Sequence, residues 1–302
     1  MARILVTGAT GLIGRAAVAA LLEKDCEVIA LSRREPLDLP GISPVICDVT
    51  DPVAVDQVLR NTQVETLLHL AWLTGAERWH GAENLDWVGH SLHLVRSFAE
   101  AGGRRVVGAG SCAEYDWTDG GVLSETSPLR PATAYGAAKA ATGLALCGCA
   151  KALGLSLAWA RIFFVFGPGE PRGRLFGDLI HGLSAGETVN CTDGRQKRDF
   201  LHVRDLGHAL AGLTLAPDVT GPINIAHGTP IAVRDLILEL ADQLGATDRV
   251  ELGARPRPAS DPDLLAADVS LMRQSLDLPP MLSWPDAVAQ VLFEDSRQGQ
   301  KR

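Results

Sequence analysis

Short apolar runs alternate with longer stretches of helical spacing through the first half of the chain. The runs at 3–6, 27–31, 45–47, 66–70, 105–107 and 156–164 predict strands. Apolar positions spaced over 12–24, 52–59, 84–101 and 134–153 predict helices, with Pro52 near the start of the second. Strands separated by helices imply crossover connections. The pattern therefore predicts an α/β chain, a doubly wound parallel sheet of the Rossmann kind with helices on both faces.

The texture changes after Gly167-Pro168-Gly169. Glycine, proline and arginine crowd residues 167–174, which read as a loop leaving the sheet. Helix, short-strand and loop signals then mix. Ile223-Asn224-Ile225 reads as a strand that returns to the sheet, and 230–245 and 283–294 read as helices. Prolines at 256, 258 and 262 make 253–263 a loop, and the polar residues 297–302 a frayed end. Two units are expected. A Rossmann domain takes 1–166 and 199–229, and a smaller, mixed α/β C-terminal domain takes 167–198 and 230–302.

Composition narrows the class. With 302 residues, 46% hydrophobic and 21% charged, the chain reads as globular and large enough for a full core. Its 28 basic and 36 acidic residues leave a net charge of −8, which argues against nucleic-acid or anionic-membrane partners. The 6 cysteines show neither Cys-x-x-Cys nor Cys/His metal spacing, so free thiols and no metal are expected. No leader pattern and no apolar run near ~18 residues is seen, so a cytoplasmic protein is expected.

Two motifs carry chemistry. Thr7-Gly8-Ala9-Thr10-Gly11-Leu12-Ile13-Gly14 joins the first predicted strand to the first helix. Glycines at 8, 11 and 14 let backbone approach a dinucleotide pyrophosphate, and the helix start offers free N–H groups. The second strand ends at Leu31-Ser32-Arg33-Arg34, with no acidic residue before Glu35. A serine and two arginines suit a 2′-phosphate, so NADP(H) is favoured and NAD(H) is possible. Asp48 and Val49 follow the third strand, where the aspartate is placed to reach the adenine. Leu70 and Ala71 end the fourth.

The second motif is Tyr135-Gly-Ala-Ala-Lys139. Its i,i+4 spacing sets a phenol and an ammonium on one helical face, and a neighbouring ammonium is expected to lower the phenol pKa. Ser111, just beyond the predicted strand 105–107, stands at the carboxyl edge of the sheet, where a hydroxyl can hold a substrate carbonyl. Ser111, Tyr135 and Lys139 form the candidate catalytic set.

These motifs, with His69-Leu70-Ala71, Ser111-x-x-x-Tyr115, Arg161 to Gly167-Pro168, Arg198-Asp199-Phe200-Leu201-His202-Val203-x-Asp205 and Asn224-Ile225, resemble the extended short-chain dehydrogenase/reductase family. That is the NAD(P)-dependent nucleotide-sugar epimerase, dehydratase and reductase group. The resemblance runs in order over nearly the whole chain. It implies a cofactor-binding Rossmann domain, a smaller domain closing on a nucleotide sugar, and a homodimer through helices 84–101 and 134–153. Nucleotide-sugar dehydratases of this family carry an Asp-Glu pair where this chain has Cys112-Ala113. Glu114 is one place late, so dehydration is not expected. Phe164 stands where the family usually has Asn.

An NADPH-dependent 4-ketoreductase of a keto-deoxy nucleotide sugar fits best, with a 4-epimerase as the alternative and a non-catalytic NADP-binding module as the remote one. By the same resemblance, Arg198 pairs with a nucleotide phosphate. The competing reading is an ion pair with Asp199 or Asp205. Cys112, Arg174 and Arg195 are further substrate candidates. His69 reads as packing. Trp72 and Trp79 either wall the sugar site or cover the core, and Asn84 either orders water behind Lys139 or caps its helix.

Overall fold

The computed structural model describes residues 1–33 and 41–299. Along the chain run β1 (Arg3–Thr7), α1 (Leu12–Leu22), β2 (Glu27–Ser32), β3 (Ile42–Ile46), α2 (Pro52–Thr62), β4 (Thr66–His69), α3 (Asn84–Glu100), β5 (Arg105–Ser111), β6 (Gly121–Leu123) and α4 (Ala134–Cys149). There follow β7 (Ser156–Ile162), β8 (Phe164–Phe166), α5 (Leu175–Ser184), β9 (Val189–Asn190), β10 (Lys197–Arg198), β11 (Phe200–His202), α6 (Val203–Thr214) and β12 (Gly221–Ile225). The chain ends with β13 (Ile231–Ala232), α7 (Val233–Gln243), β14 (Val250–Glu251), β15 (Leu264–Ala267), α8 (Ser270–Ser275) and α9 (Trp284–Gly299).

The main sheet has 7 strands in the order β12-β7-β5-β4-β1-β2-β3. Every pairing in it is parallel, as expected for a doubly wound Rossmann sheet. The strand order reverses between β1 and β4, so the ends of those strands open the crevice where such sheets take ligands. One core lies between the sheet and α1 with α6, and includes Val6, Val18, Leu21, Leu206 and Leu210. A second lies on the opposite face under α2 and α3, around Leu67, Phe98 and Trp159. Helix starts are set locally. Asp51 accepts hydrogen bonds from Val53 N and Ala54 N to cap α2, and Thr133 accepts one from Gly136 N to cap α4.

A smaller assembly of sheet and helix sits beyond β8. Its core gathers Phe166, Phe176, Leu179, Val233, Leu236 and Val288. Beside it run a 4-stranded sheet, β13-β10-β15-β6, and a parallel β8–β11 pair. β6 joins that small sheet from within the first 166 residues, and α8 from the C-terminal region packs against β12. Among the described residues, no helix is long and apolar enough to cross a membrane, and no metal-binding cluster occurs.

Several predicted boundaries move. The apolar run 156–164 is two strands: β7 pairs with β5 and β12 in the main sheet, whereas β8 pairs with β11. β5 extends to Ser111 instead of ending at 107, so the serine is the last residue of the strand itself. The predicted strand 45–47 begins at Ile42, and helices 12–24 and 134–153 stop at Leu22 and Cys149.

Candidate active site

The glycine turn is tight. Gly11 N donates to Gly8 O at 3.1 Å, and Arg15 N to Gly11 O at 2.9 Å, so α1 starts directly on the turn. Gly8 has φ +70°, and a Cβ there would stand 2.8 Å from Ala71 N. A Cβ on Gly14 would press on the Gly8 carbonyl and lie 2.7 Å from Ala9 Cα. Thr10 and Gly11 are exposed, while Leu12 and Ile13 are half-buried. Bare glycines and the helix N-terminus thus leave a cradle at the switch point whose shape and polarity fit a pyrophosphate.

Thr7 ties this turn to β4. Its hydroxyl accepts from Leu70 N and Ala71 N, both at 3.2 Å, and meets His69 Nδ1 at 2.8 Å. With its lone pairs engaged, Thr7 donates to Nδ1, and His69 Nε2–H donates to Ser91 Oγ at 3.0 Å. Burial, aided by the Lys139 charge, pushes the His69 pKa to about 3, so the ring is a neutral connector. This agrees with the packing role expected for it.

At the end of β2, Ser32 is buried and its hydroxyl has no partner among the described residues. Arg33 is exposed, and Arg34 lies outside the described residues. Asp48 Oδ1 accepts from Thr50 N at 3.0 Å and Thr50 Oγ1 at 2.8 Å. Desolvation opposes its charge, but the Thr50 bonds and Arg33 win and hold the carboxyl below its usual range. Val49 is buried beside it.

Ser111 at the end of β5 and Tyr135 and Lys139 on α4 come together. Lys139 is buried, its Nζ donating to Ala109 O at 2.7 Å. The ammonium stands 3.7 Å from the Trp72 ring centroid and 5.9 Å from that of Tyr135. Burial lowers its pKa to about 7, against the charge of Glu114. Tyr135 is half-buried, and desolvation pushes its phenol up to about 12. The neighbouring Ser111 side chain and the charge of Arg78 act the other way. The expectation that the Lys139 ammonium depresses the phenol is thereby corrected. Burial outweighs the favourable charges, and the cation acting on Tyr135 is Arg78.

Two tryptophans pack on this pair. Trp79 meets Tyr135 edge-on, with centroids 5.3 Å apart, and Arg78 Cζ lies 4.7 Å from the Trp79 ring. Trp72 Nε1 donates to Asn84 Oδ1 at 3.1 Å. Asn84 Nδ2 donates to Arg78 O at 2.8 Å and Gly81 O at 2.9 Å. Asn84 therefore braces the loop after β4; its side chain does not cap α3.

Beneath Ser111 lies a buried polar network. Glu114 Oε1 accepts from Ser111 N at 2.8 Å and Trp159 Nε1 at 2.9 Å, and Oε2 from Arg161 Nε at 2.9 Å. Arg161 Nη1 donates to Tyr115 OH at 3.0 Å, and Tyr115 OH to Asn224 Oδ1 at 2.6 Å. The matched tyrosine Tyr115 is thus fully engaged in structure.

The substrate candidates are dispersed. Arg198 is buried, and its guanidinium is held by the Asp261 carboxylate, Lys197 O at 2.8 Å and Pro262 O at 2.9 Å. Neither Asp199 nor Asp205 is its partner. Asp199 accepts from Gly228 N and Ala267 N, and Asp205 from Leu282 N. Arg174 binds Glu170 at 3.0 Å and Val165 O at 3.1 Å. Arg195 is exposed, 3.9 Å from Asp193. Cys112 is buried, and desolvation drives its thiol to about 12.

The sequence reading missed Arg78 and Arg257. Arg257 shares Asp261 with Arg198 and reaches Asp263 at 2.8 Å. It lines a depression of about 630 Å³ with Thr118, Asp119 and Leu264. Its four-residue spacing from Asp261 was the available signal, lost inside a proline-rich loop.

Comparison with known proteins follows the same lines. Residues 4–226 match the model of the NAD dependent epimerase/dehydratase family. The dTDP-6-deoxy-L-talose 4-dehydrogenase (NAD(P)(+)) of Kitasatospora kifunensis is 28% identical, over 96% of this chain and 94% of that protein. A UDP-glucose 4-epimerase of Halalkalibacterium halodurans is 26% identical, over 87% and 86%. Among solved structures, MoeE5 in complex with UDP-glucuronic acid and NAD superposes with a TM-score of 0.83 at 30% identity, over 98% of this chain and 99% of that one.

Proposed function

The chain belongs to the NAD-dependent epimerase/dehydratase family of extended short-chain dehydrogenase/reductases, NAD(P)-dependent enzymes, and we propose that it is an NADPH-dependent 4-ketoreductase of a keto-deoxy nucleotide sugar. The observation that carries this reading is the meeting of Ser111, Tyr135 and Lys139 beside the glycine cradle. Gly8, Thr10, Gly11, Leu12, Ile13 and Gly14 would hold the pyrophosphate, and Leu70 and Ala71 would back it. The Ser32 hydroxyl, without a partner among the described residues, and Arg33 favour a 2′-phosphate, and the sequence has no acidic residue before Glu35 to prefer NAD. Asp48 and Val49 would hold the adenine end.

Bound NADPH supplies a hydride for the ketone carbon. Tyr135, a protonated phenol at neutral pH, donates its proton to the developing alkoxide. Ser111 hydrogen-bonds the same oxygen, and Lys139 holds positive charge behind it. A phenol kept protonated suits reduction, whereas abstraction of a sugar proton needs the phenolate. Dehydration has no acid, since Cys112 and Ala113 occupy the positions and the Cys112 thiol stays neutral. In this reading residues 1–166 and 199–229 carry the cofactor, and 167–198 with 230–302 close on the nucleotide sugar. Arg174 and Arg195 then serve as substrate contacts, and Arg198 reaches a phosphate by exchanging Asp261. The intact catalytic set speaks against a non-catalytic module.

The first test is oxidation of NADPH and NADH with a panel of 4-keto-6-deoxy nucleotide sugars. Turnover with NADPH preferred is expected. Protein that purifies with tightly held NAD and interconverts 4-epimers without added cofactor would replace this reading by the epimerase, the activity named for the Halalkalibacterium relative.

A homodimer is also proposed, through α3 and α4, which pack together and expose Leu85 (76%) and Leu144 (61%). Sedimentation should give a dimer for the native chain and a monomer for Leu144→Asp. A native monomer at micromolar concentration would remove the proposal.

A further inference from the structure

We propose that Glu114 is a positioning residue: from its buried seat under the end of β5 it fixes Ser111 and supplies the negative charge that keeps Lys139 an ammonium. The turn after β5 is closed by a reciprocal pair. The Ser111 hydroxyl accepts from Ala113 N at 3.2 Å, while the Glu114 carboxylate accepts from Ser111 N at 2.8 Å. The same carboxylate accepts from Trp159 and Arg161 on β7. Burial pushes the Glu114 carboxyl up from its usual range, while the Arg161 guanidinium and the N–H groups of Ser111 and Trp159 act the other way. Every hydrogen-bond partner of Glu114 is an N–H donor, and this set of contacts favours the ionised carboxylate.

The packing brings this charge to Lys139. A Cβ at Gly110 would collide with both Trp159 Nε1 and Glu114 Oε1, and one at Gly143 would collide with the Trp159 indole. Gly143 lies one helical turn after Lys139 on α4. Two glycines thus let the Trp159 indole slot between β5 and α4, its N–H on Glu114 and its ring 5.9 Å from Lys139 Nζ. Lys139 has no salt-bridge partner among the described residues, only Ala109 O and the ring faces.

The other ionisable groups cannot do this work. His69 from β4 is neutral at about 3. Tyr135 and Cys147 on α4 are held protonated at about 12 and about 11, and Cys112 at about 12. Arg161 lies behind Glu114, and Arg78 faces Tyr135. Glu114 is the group whose charge opposes the desolvation of Lys139. An ammonium on the verge of neutrality is sensitive to the loss of one buried negative charge.

The inference rests on the proposed catalytic set only for its consequence in turnover, so its test needs no substrate. The chain has lysines only at 24, 139, 151, 197 and 301, so ε-¹³C-lysine NMR resolves Lys139, assigned with Lys139→Met. In the full-length protein its titration midpoint is expected near neutrality, and Glu114→Gln is expected to lower it by about one unit, a roughly tenfold change in acid strength. Glu114→Gln leaves Arg161 without its carboxylate and can fail to fold. Glu114→Gln/Arg161→Gln, read against Arg161→Gln alone, isolates the charge of the carboxylate and keeps the test open. A merely structural Glu114 would change the melting temperature and leave the midpoint in place. An unmoved Lys139 midpoint in folded Glu114→Gln against the native chain, or in the folded double variant against Arg161→Gln, overturns the proposal; a fall in the midpoint in the same comparison supports it, whether or not the protein proves to be a ketoreductase.

Discussion

Tyr135→Phe is expected to lower turnover by about 10²–10⁴-fold, the usual reach of a positioned proton donor, while NADPH affinity stays nearly unchanged. The ring that meets Trp79 edge-on is kept, so the wall beside Lys139 should survive the substitution. Only the hydroxyl is lost, and with it the proton donor. The phenol stands near 12 in the native protein, so the acidic form is present across the working pH range. The pH profile of reduction should therefore show no limb from Tyr135 below about pH 9. The reverse oxidation, which needs the phenolate, should rise with pH. Rates with a 4-keto nucleotide sugar, set against NADPH titration by fluorescence, separate chemistry from binding. Native-like turnover in the phenylalanine variant would remove Tyr135 from the proposed mechanism.

The second large effect is expected at Gly14. Its Cβ would fall 2.7 Å from Ala9 Cα and 2.8 Å from Ala9 C, both backbone atoms that no rotamer change can move aside. Gly14→Ala must push α1 away from the turn or open the turn itself. Overpacking of this kind costs about 1–3 kcal/mol, and the N–H groups of the cradle lose their aim at the same time. Weakening of NADPH binding by an order of magnitude or more is expected, with a lower melting temperature. Gly212→Ala is the control, because its Cβ would meet only Leu278 Cδ2 at an ordinary 3.5 Å. Equal NADPH affinity in native protein and Gly14→Ala would show that the turn tolerates a methyl group and that the cradle is misassigned.

Much of this architecture is legible without coordinates where the physics is local. The 2.0 and 3.6 periodicities place the main strands and helices, since burial of one face repeats at the geometry of the element. Tyr135 and Lys139 share a face because four residues make about one helical turn. The turn at Gly8–Gly14 needs residues without a Cβ, and the positive φ at Gly8 gives one reason.

What escaped the sequence reading is long-range. Arg198 reads as a phosphate ligand until Asp261, 63 residues away, closes on it. The β7 and β8 strands read as one run, and only the pairing of β8 with β11, away from the main sheet, separates them. Glu114 looks one position too late for an acid. Its meaning comes from Trp159 and Arg161, which lie 45 and 47 residues further on. The doubly wound sheet was legible in the residue pattern, and so were the glycine turn and the proposed set of Ser111, Tyr135 and Lys139. The electrostatics of that set came from the folded chain alone: the cation that acts on the phenol, and the carboxylate whose charge favours the ammonium. Periodicity and spacing encode the neighbours a residue meets along its own element. The field at a buried group is the sum over neighbours brought from other elements, and no local pattern records it.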